Sequence, residues 1–399
     1  MDNLGNLSAH LYIGCDTGLL KGIRLPAGSI ANTATDSASE SLVNKDRAVD
    51  VLFAENASDA PHSLHSHKLR LCLKNRDIVC LNVADAEEPF ARLSVDGGEG
   101  RFVGGGMVER NTVTAVESGH IFVNEGMQRS KNVASAGVGL ARFIQGRNNP
   151  KYFASGGREN HLKLWDLSAP ASPVFTAKNL PDDKLRLTVP TFIRALSFRP
   201  SSDDRIILTA TGYHQVQLYD TRVQRRPLRS FTYGEDPLTS LDVSPHNPDA
   251  ILLANRLGKV ALFDWRGTKA LPVRAFTGSQ GSVKQALFHP REAGVFGVIG
   301  MDRYLRVYRQ EQKAPVKEVY LKSQPLCLLW TDEVVKSWNS DDEPTDSVDE
   351  QVADTKRKIS EPDEDDGVWN TMQTVDDQKR PVTTKITRQK PRKKSKLKD

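Results

Sequence analysis

The chain has 399 residues, 38% of them hydrophobic, and a formal net charge of +5. That is enough apolar material for one large all-β domain or two average ones, and too little net charge to argue nucleic-acid binding for the chain as a whole. Cys15, Cys72, Cys80 and Cys327 form no CxxC pair, the opening MDNLGNLSAHLYIG has no basic start before an apolar run, and no window nears ~18 consecutive apolar residues, so a reducing compartment is expected and neither secretion nor a membrane span is.

In chain order, HLYIGCDTGLLKGIRL (10–25), RLCLKNRDIVCLNV (70–83) and NTVTAVESGHIFVNE (111–125) each read as two strands around a polar turn. The polar stretches around 26–47 and 55–67 hold no core-forming residues and are expected to be loops. VGLARFIQGRNNP (138–150) is an apolar strand that runs into a proline turn, as proline without its N–H suits a strand end. FASGGRENHLKLWDLS (153–168) follows it as strand, polar turn and strand. The same pair returns as IRALSFRP (193–200) with LTATGYHQVQLYDTR (208–222). It returns again as LTSLDVSPHNP (238–248) with LLANRLGKVALFDWR (252–266), and as VKQALFHP (283–290) with GVIGMDRYLRVYRQ (297–310). The closing aromatics Trp165, Tyr219, Phe263 and Tyr308 are 54, 44 and 45 residues apart. KEVYLKSQPLCLLW (317–330) is a final piece that closes a ring beside the N-terminal strands.

A period of ~40–45 residues with four strands per unit is the sequence signature of a β-propeller. One small sheet cannot bury both faces; radial stacking buries each face on its neighbour. Three hairpins and four clear units give seven blades, with six or eight as the alternative counts, over residues 1–333. Residues 334–399 change character. From 340 onward there are thirteen Lys/Arg against fifteen Asp/Glu, few aliphatics and no helical period, which predicts a disordered acidic-then-basic tail. Lys379-Arg380, a nine-residue spacer, then Lys390-Pro391-Arg392-Lys393-Lys394 with Lys396 and Lys398 resembles a bipartite nuclear import signal. Such cations suit an importin's acidic grooves and equally RNA phosphates.

Candidate sites are weighed against structural readings. His62, His65 and His67 could ligate a metal, but they sit in a polar loop with no rigid scaffold, so no metal is expected. Gly104, Gly105 and Gly106 do not form GxGxxG between a strand and a helix; close backbone approach near a propeller centre accounts for them. GxxxxGK[ST], HExxH and GxSxG are absent, so neither an enzyme nor a cofactor is expected. In YDTR (219–222) and FDWR (263–266), Asp220 and Asp264 fit bonds to backbone N–H groups in the turn, with Arg222 and Arg266 facing water. The alternative is docking on a ligase adaptor, as a substrate receptor of a cullin-type ubiquitin ligase. The polar turns between second and third strands are expected on one rim. They bring Arg158, Glu159 and Asn160, then Tyr213 and His214, then Arg256, then Asp302, Arg303 and Tyr304, an Arg–Tyr mix typical of interfaces. The long loop NLPDDKLRLTVP (179–190), with Lys184 and Arg186, is a further contact element.

Gly156-Gly157-Arg158-Glu159-Asn160 before Leu164-Trp165-Asp166-Leu167, and VYLKSQPLCLL (319–329) after GMDRYLRVYR, resemble the most characteristic stretches of one family: the nucleolar WD-repeat ribosome-assembly factors of the large-subunit precursor, with yeast and animal members. The resemblance covers about residues 10–330 and a basic tail of similar character. It implies a seven-bladed WD40-like propeller without catalysis. It further implies a nuclear and nucleolar scaffold on pre-60S particles, among assembly factors, ribosomal proteins and rRNA, released by an AAA ATPase. Arg158, Glu159, Asn160, Arg303 and Lys322 are the matching positions, expected at the surface. Most Gly-His and Trp-Asp pairs of ordinary WD repeats are missing, which bears on the blade count rather than the fold.

Overall fold

The computed structural model describes residues 10–331, apart from 26–28, 35–47, 56–67, 83–90, 127, 182–185, 201 and 267–270. Its strands form five four-stranded sheets and one of eight strands. In the eight-stranded sheet two four-stranded halves are joined, because Phe102–Val108 pairs parallel with Leu140–Gln145. There are thus seven blades, each of four antiparallel strands from inner to outer.

Blade 1 takes its inner strand, Pro325–Trp330, from the end of the described chain. Its other strands, Leu11–Cys15, Leu19–Arg24 and Ser29–Ala34, come from the beginning. Blades 2 to 7 follow in order, with inner strands Val49–Glu55, Phe102–Val108, Leu140–Gln145, Ile193–Phe198, Leu238–Val243 and Val283–Phe288. Neighbouring inner strands lie side by side, and that of blade 7 returns to that of blade 1. The ring is closed. The hairpins expected from the first third are the middle strands of blades 1, 2 and 3. The stretch 317–330 divides: Lys317–Tyr320 is the outer strand of blade 7, and only Pro325–Trp330 crosses to blade 1.

One expectation is corrected. Within the polar stretch 26–47, Ser29–Ala34 is a strand, paired from Leu19↔Ala34 to Arg24↔Ser29. An outer strand borders a single neighbour, so backbone pairing can define it without a row of core residues. The stretch 55–67 lies almost entirely outside the described residues, as do His62, His65 and His67.

The core sits between blades. Leu208, Val216 and Leu218 of blade 5 meet Leu241, Ile251 and Phe263 of blade 6. Leu252 and Phe276 of blade 6 meet Phe288, Phe296 and Tyr308 of blade 7. Each such side chain contributes about 1.5–3 kcal/mol on burial. The third-strand aromatics explain how the ring tolerates missing Trp-Asp pairs. Each buries its ring and satisfies its polar atom: Trp165 Nε1 donates to Ser155 Oγ at 2.8 Å, Tyr219 to Gln217 Oε1 at 2.8 Å and Tyr308 to the Thr277 carbonyl at 2.9 Å. Phe263 has nothing to satisfy.

Inner strands are sheet edges, and their backbone groups need partners. Side chains of adjacent blades supply them. Gln285 accepts from Leu328 N at 2.8 Å, Asp242 from Phe288 N at 2.9 Å and Ser240 from Ala286 N at 2.9 Å. Between blades 3 and 4 the backbones pair directly, Phe143↔Gly104 and Ile144↔Gly105. A Cβ on Gly104 would lie 1.7 Å from the Phe143 carbonyl oxygen, which is the close approach the glycine run predicts.

Candidate functional site

The turns between second and third strands have three residues in blades 1, 2, 3, 5 and 7, four in blade 6 and five in blade 4, and each holds one residue with left-handed backbone. In six it is the third: Gly18, Arg76, Gly119, His214, Gly258 and Arg303. In blade 4 it is the second, Glu159 (φ 53°). A type I turn followed by a left-handed residue is the usual three-residue hairpin, and glycine fits that position without strain. Arg76, Glu159, His214 and Arg303 each hold it at a cost of about 1 kcal/mol or more. The turns sit beside the loops entering the inner strands. Arg158 N donates to Gly139 O at 2.8 Å, Gly212 N to Phe192 O at 2.8 Å, Arg256 N to Pro237 O at 3.0 Å and Met301 N to Ser282 O at 2.9 Å. In blade 4 Glu159 N also reaches across to Thr191 O, at 2.8 Å, on the loop entering blade 5.

On this face, blades 4 to 7 expose large apolar side chains: Val138 (83% exposed), Leu187 (61%), Leu257 (59%), Met301 (52%) and Tyr213 (40%). Val174, Leu228, Val273 and Val316 are exposed too, but they stand at a repeated position leading into the outer strands. Among the apolar residues stand Arg158, Glu159, Arg186, Arg256, Arg303 and Lys322, all exposed. Arg186 (φ 59°) and Lys322 (φ 64°) also have left-handed backbone. Tyr304 is half-buried, its ring 5.0 Å from that of Tyr320 and 4.9 Å from the Arg306 guanidinium. Asn160 is a correction: it is 5% exposed, not a surface residue. Its amide donates to the carbonyls of Ala136, Gly137 and Val138 at 2.9, 3.0 and 3.3 Å, clamping the loop that enters blade 4. Lys184 lies outside the described residues, as do Lys379, Arg380, Lys390, Arg392, Lys393, Lys394, Lys396 and Lys398 of the basic tail.

At the other end of the third strands, Asp166, Asp220 and Asp264 accept from the N–H two residues on, at 2.8, 2.9 and 2.8 Å. This is the turn role expected of Asp220 and Asp264. Arg222 and Arg266 do more than face water. Arg222 pairs with Asp203 at 3.2 Å, and Arg266 with Asp264 at 3.0 Å and Asp249 at 3.4 Å.

The inner strands build a second feature that turn chemistry did not predict. In each blade the register between inner and second strand slips by one residue, leaving a β-bulge. Bulges re-aim side chains. Here the bulged residues all line one cavity of about 490 Å³. Leu326, Val103, Ala141 and Thr239 give it neutral walls; Asp50, Arg194 and Lys284 give it charge. Arg101, Arg142 and Glu117 add to the lining. Burial, then the Arg101 and Arg194 cations, push Arg142 and Lys284 below their ordinary values. Burial pushes Asp50 up to about 6. The signal was present in the chain: IRALSF, VKQALF and VDVLF each place a charged second residue inside an apolar strand.

No protein-family model matches the chain. It is similar to WD repeat-containing protein 74 of Homo sapiens, 31% identical over 396 residues, 94% of this chain and 97% of that protein. The Bos taurus protein of the same name is 30% identical over 380 residues, 93% and 91% of the two chains. Ribosome biogenesis protein NSA1 of Yarrowia lipolytica is 25% identical over 330 residues, 74% of this chain and 76% of that one. A closed seven-bladed ring, with a match to WD repeat-containing protein 74 along almost its whole length, places this chain in the WD repeat-containing protein 74 family.

Proposed function

We propose that this chain is a non-catalytic docking platform in the biogenesis of the large ribosomal subunit. The names of the NSA1 relatives support the process, as ribosome biogenesis proteins. The observation that supports docking is a conflict between backbone and side chain. Glu159, His214 and Arg303 hold left-handed backbone without being glycine, and no side-chain hydrogen bond or ion pair within the described residues explains why. Strain kept where the fold gains nothing marks a position selected for an outside contact. The same turns present Tyr213, Leu257 and Met301 beside Arg158, Arg256 and Arg303, the apolar-plus-arginine mix of interface anchors.

In this reading the propeller spans 1–333 and is rigid before binding, which limits the ordering cost. The turn face of blades 4 to 7 meets pre-60S assembly factors, ribosomal proteins and rRNA. The tail, 334–399, recruits an importin and adds electrostatic attraction to rRNA in the nucleolus. An AAA ATPase removes the protein as the particle matures.

Sedimentation of nuclear extract containing the tagged chain tests this. The wild type co-migrates with large-subunit precursors. A folded variant with Tyr213→Ala, Leu257→Ser, Met301→Ser and Arg303→Glu moves to the light fractions. A wild-type chain found away from precursors and bound to a cullin adaptor overturns the reading.

A further inference from the structure

The cavity ringed by the bulged residues is a channel mouth that opens beside the turns, since Gly139, Phe192 and Ser282 line it and also accept from Arg158, Gly212 and Met301, but its chemistry is different. Four cations border it, Arg101, Arg142, Arg194 and Lys284, against two carboxylates, Asp50 and Glu117. Arg101 is taken up by Glu117, at 2.9 Å. Arg142 uses Nε on the Arg194 carbonyl, at 3.0 Å, and neither it nor Arg194 nor Lys284 has a carboxylate partner among the described residues. Arg194 instead lies over the Phe192 ring, 5.4 Å from its centre. A fold that needed these cations for its own stability would pair them, since an unpaired half-buried charge is a cost. Arg142 also borders a deeper cavity of about 200 Å³ between the inner strands, where Arg147 and Asp242 pair with each other at 2.6 Å.

We propose that the channel mouth binds an acidic side chain of a partner polypeptide, held by Arg142, Arg194 and Lys284. Size and walls favour a peptide over RNA. The space is about 490 Å³ within a closed ring, room for a turn of chain or a few protruding side chains. A single-stranded nucleic acid is bound along an open basic groove with aromatic stacking platforms, whereas the neutral bulged residues here are Leu326, Val103, Ala141 and Thr239. Guanidinium groups with free N–H edges suit a carboxylate in bidentate fashion. Asp50 is the internal opponent: its carboxylate occupies the same mouth and weakens the site for any anion. This site does not rest on the ribosomal reading, which can fail while the pocket still binds.

The probe is a fluorescein-labelled peptide of eight glutamates flanked by glycines, titrated by anisotropy with the full-length chain at physiological salt. Arg194→Gln with Lys284→Gln is expected to weaken binding at least tenfold, while Lys284→Arg keeps most of it. Asp50→Asn is expected to tighten binding two- to fivefold, and this variant decides the matter if the double variant melts early. Replacing Lys390, Arg392, Lys393 and Lys394 by Gln controls for the tail and leaves the channel-dependent difference in place. The proposal is overturned if the tail variant abolishes binding while the channel variants do not change it. It is equally overturned if a U-rich RNA of matched charge loses more than the peptide does.

Discussion

Two aspartates show how single side chains tune the ring in opposite directions. Asp204 is fully buried, and its carboxylate accepts from the backbone N–H groups of Arg147, Asn148 and Asn149 at 3.0, 2.8 and 2.6 Å. It ties the turn after the inner strand of blade 4 to blade 5. Asp204→Ala leaves three donors without partners and should cost about 2–4 kcal/mol in a denaturant or thermal unfolding measurement. Asp50 works the other way. Burial is the main cause of its rise from 3.8 to about 6; Glu117 adds to it, and Arg101 and Lys74 oppose it. Between those two values the folded chain keeps a proton that the unfolded chain has released. The stabilisation tied to that proton is complete below pH 3.8 and is lost as pH rises through about 6. Asp50→Asn should therefore raise stability at pH 7.5 by about 1–2 kcal/mol, after allowance for its partial exposure. The gain should shrink toward zero near pH ~4; a gain that stays constant with pH would count against a burial cost.

At the scale of the element, the recurring unit is a hairpin turn with one left-handed residue. Where a side chain there has structural work, removing it should hurt. Arg76 donates to the carbonyls of Gly97 and Gly98, so Arg76→Gly should destabilise despite relieving the backbone. Arg303 has no such bond, and Arg303→Gly should raise the thermal midpoint, by about 0.5–1 kcal/mol in stability, while weakening precursor association. A loss of stability from Arg303→Gly would remove the case for strain kept for an outside contact. The turns themselves were legible, since polar residues between alternating strands mark them directly. Their left-handed member was not, because Arg, Glu and His hide a position that Gly18, Gly119 and Gly258 advertise. Asn160 misled for a related reason: an amide in a polar turn looks exposed until the loop it clamps is seen. The channel ring escaped notice because a bulge breaks strict alternation, and alternation is what the strand pattern relies on.

The whole ring was readable because its period survives the loss of its signature pairs: Trp165, Tyr219, Phe263 and Tyr308 keep place and burial. The outer strand Ser29–Ala34 was unreadable, since its sequence has little to bury. Ring closure depends on Pro325–Trp330, whose Leu328 and Trp330 pack with Leu11 and Ile13 in one core cluster. A chain ending at Gln324 should lose its cooperative melting transition and elute as aggregate in size-exclusion chromatography, because the edge of Leu11–Cys15 is left open. Monomeric, cooperative behaviour of that truncation would show that closure is dispensable. The same topology sets a timetable for synthesis. Of the described strands, Leu11–Cys15 leaves the ribosome before the rest of the ring, and the strand that covers its edge, Pro325–Trp330, leaves after the rest. Through most of translation the blades accumulate as an open arc. The residues beyond Thr331 then serve as a tether: while they are still being threaded out, Trp330 can already reach its place, so the circle can shut before the nascent chain is set free.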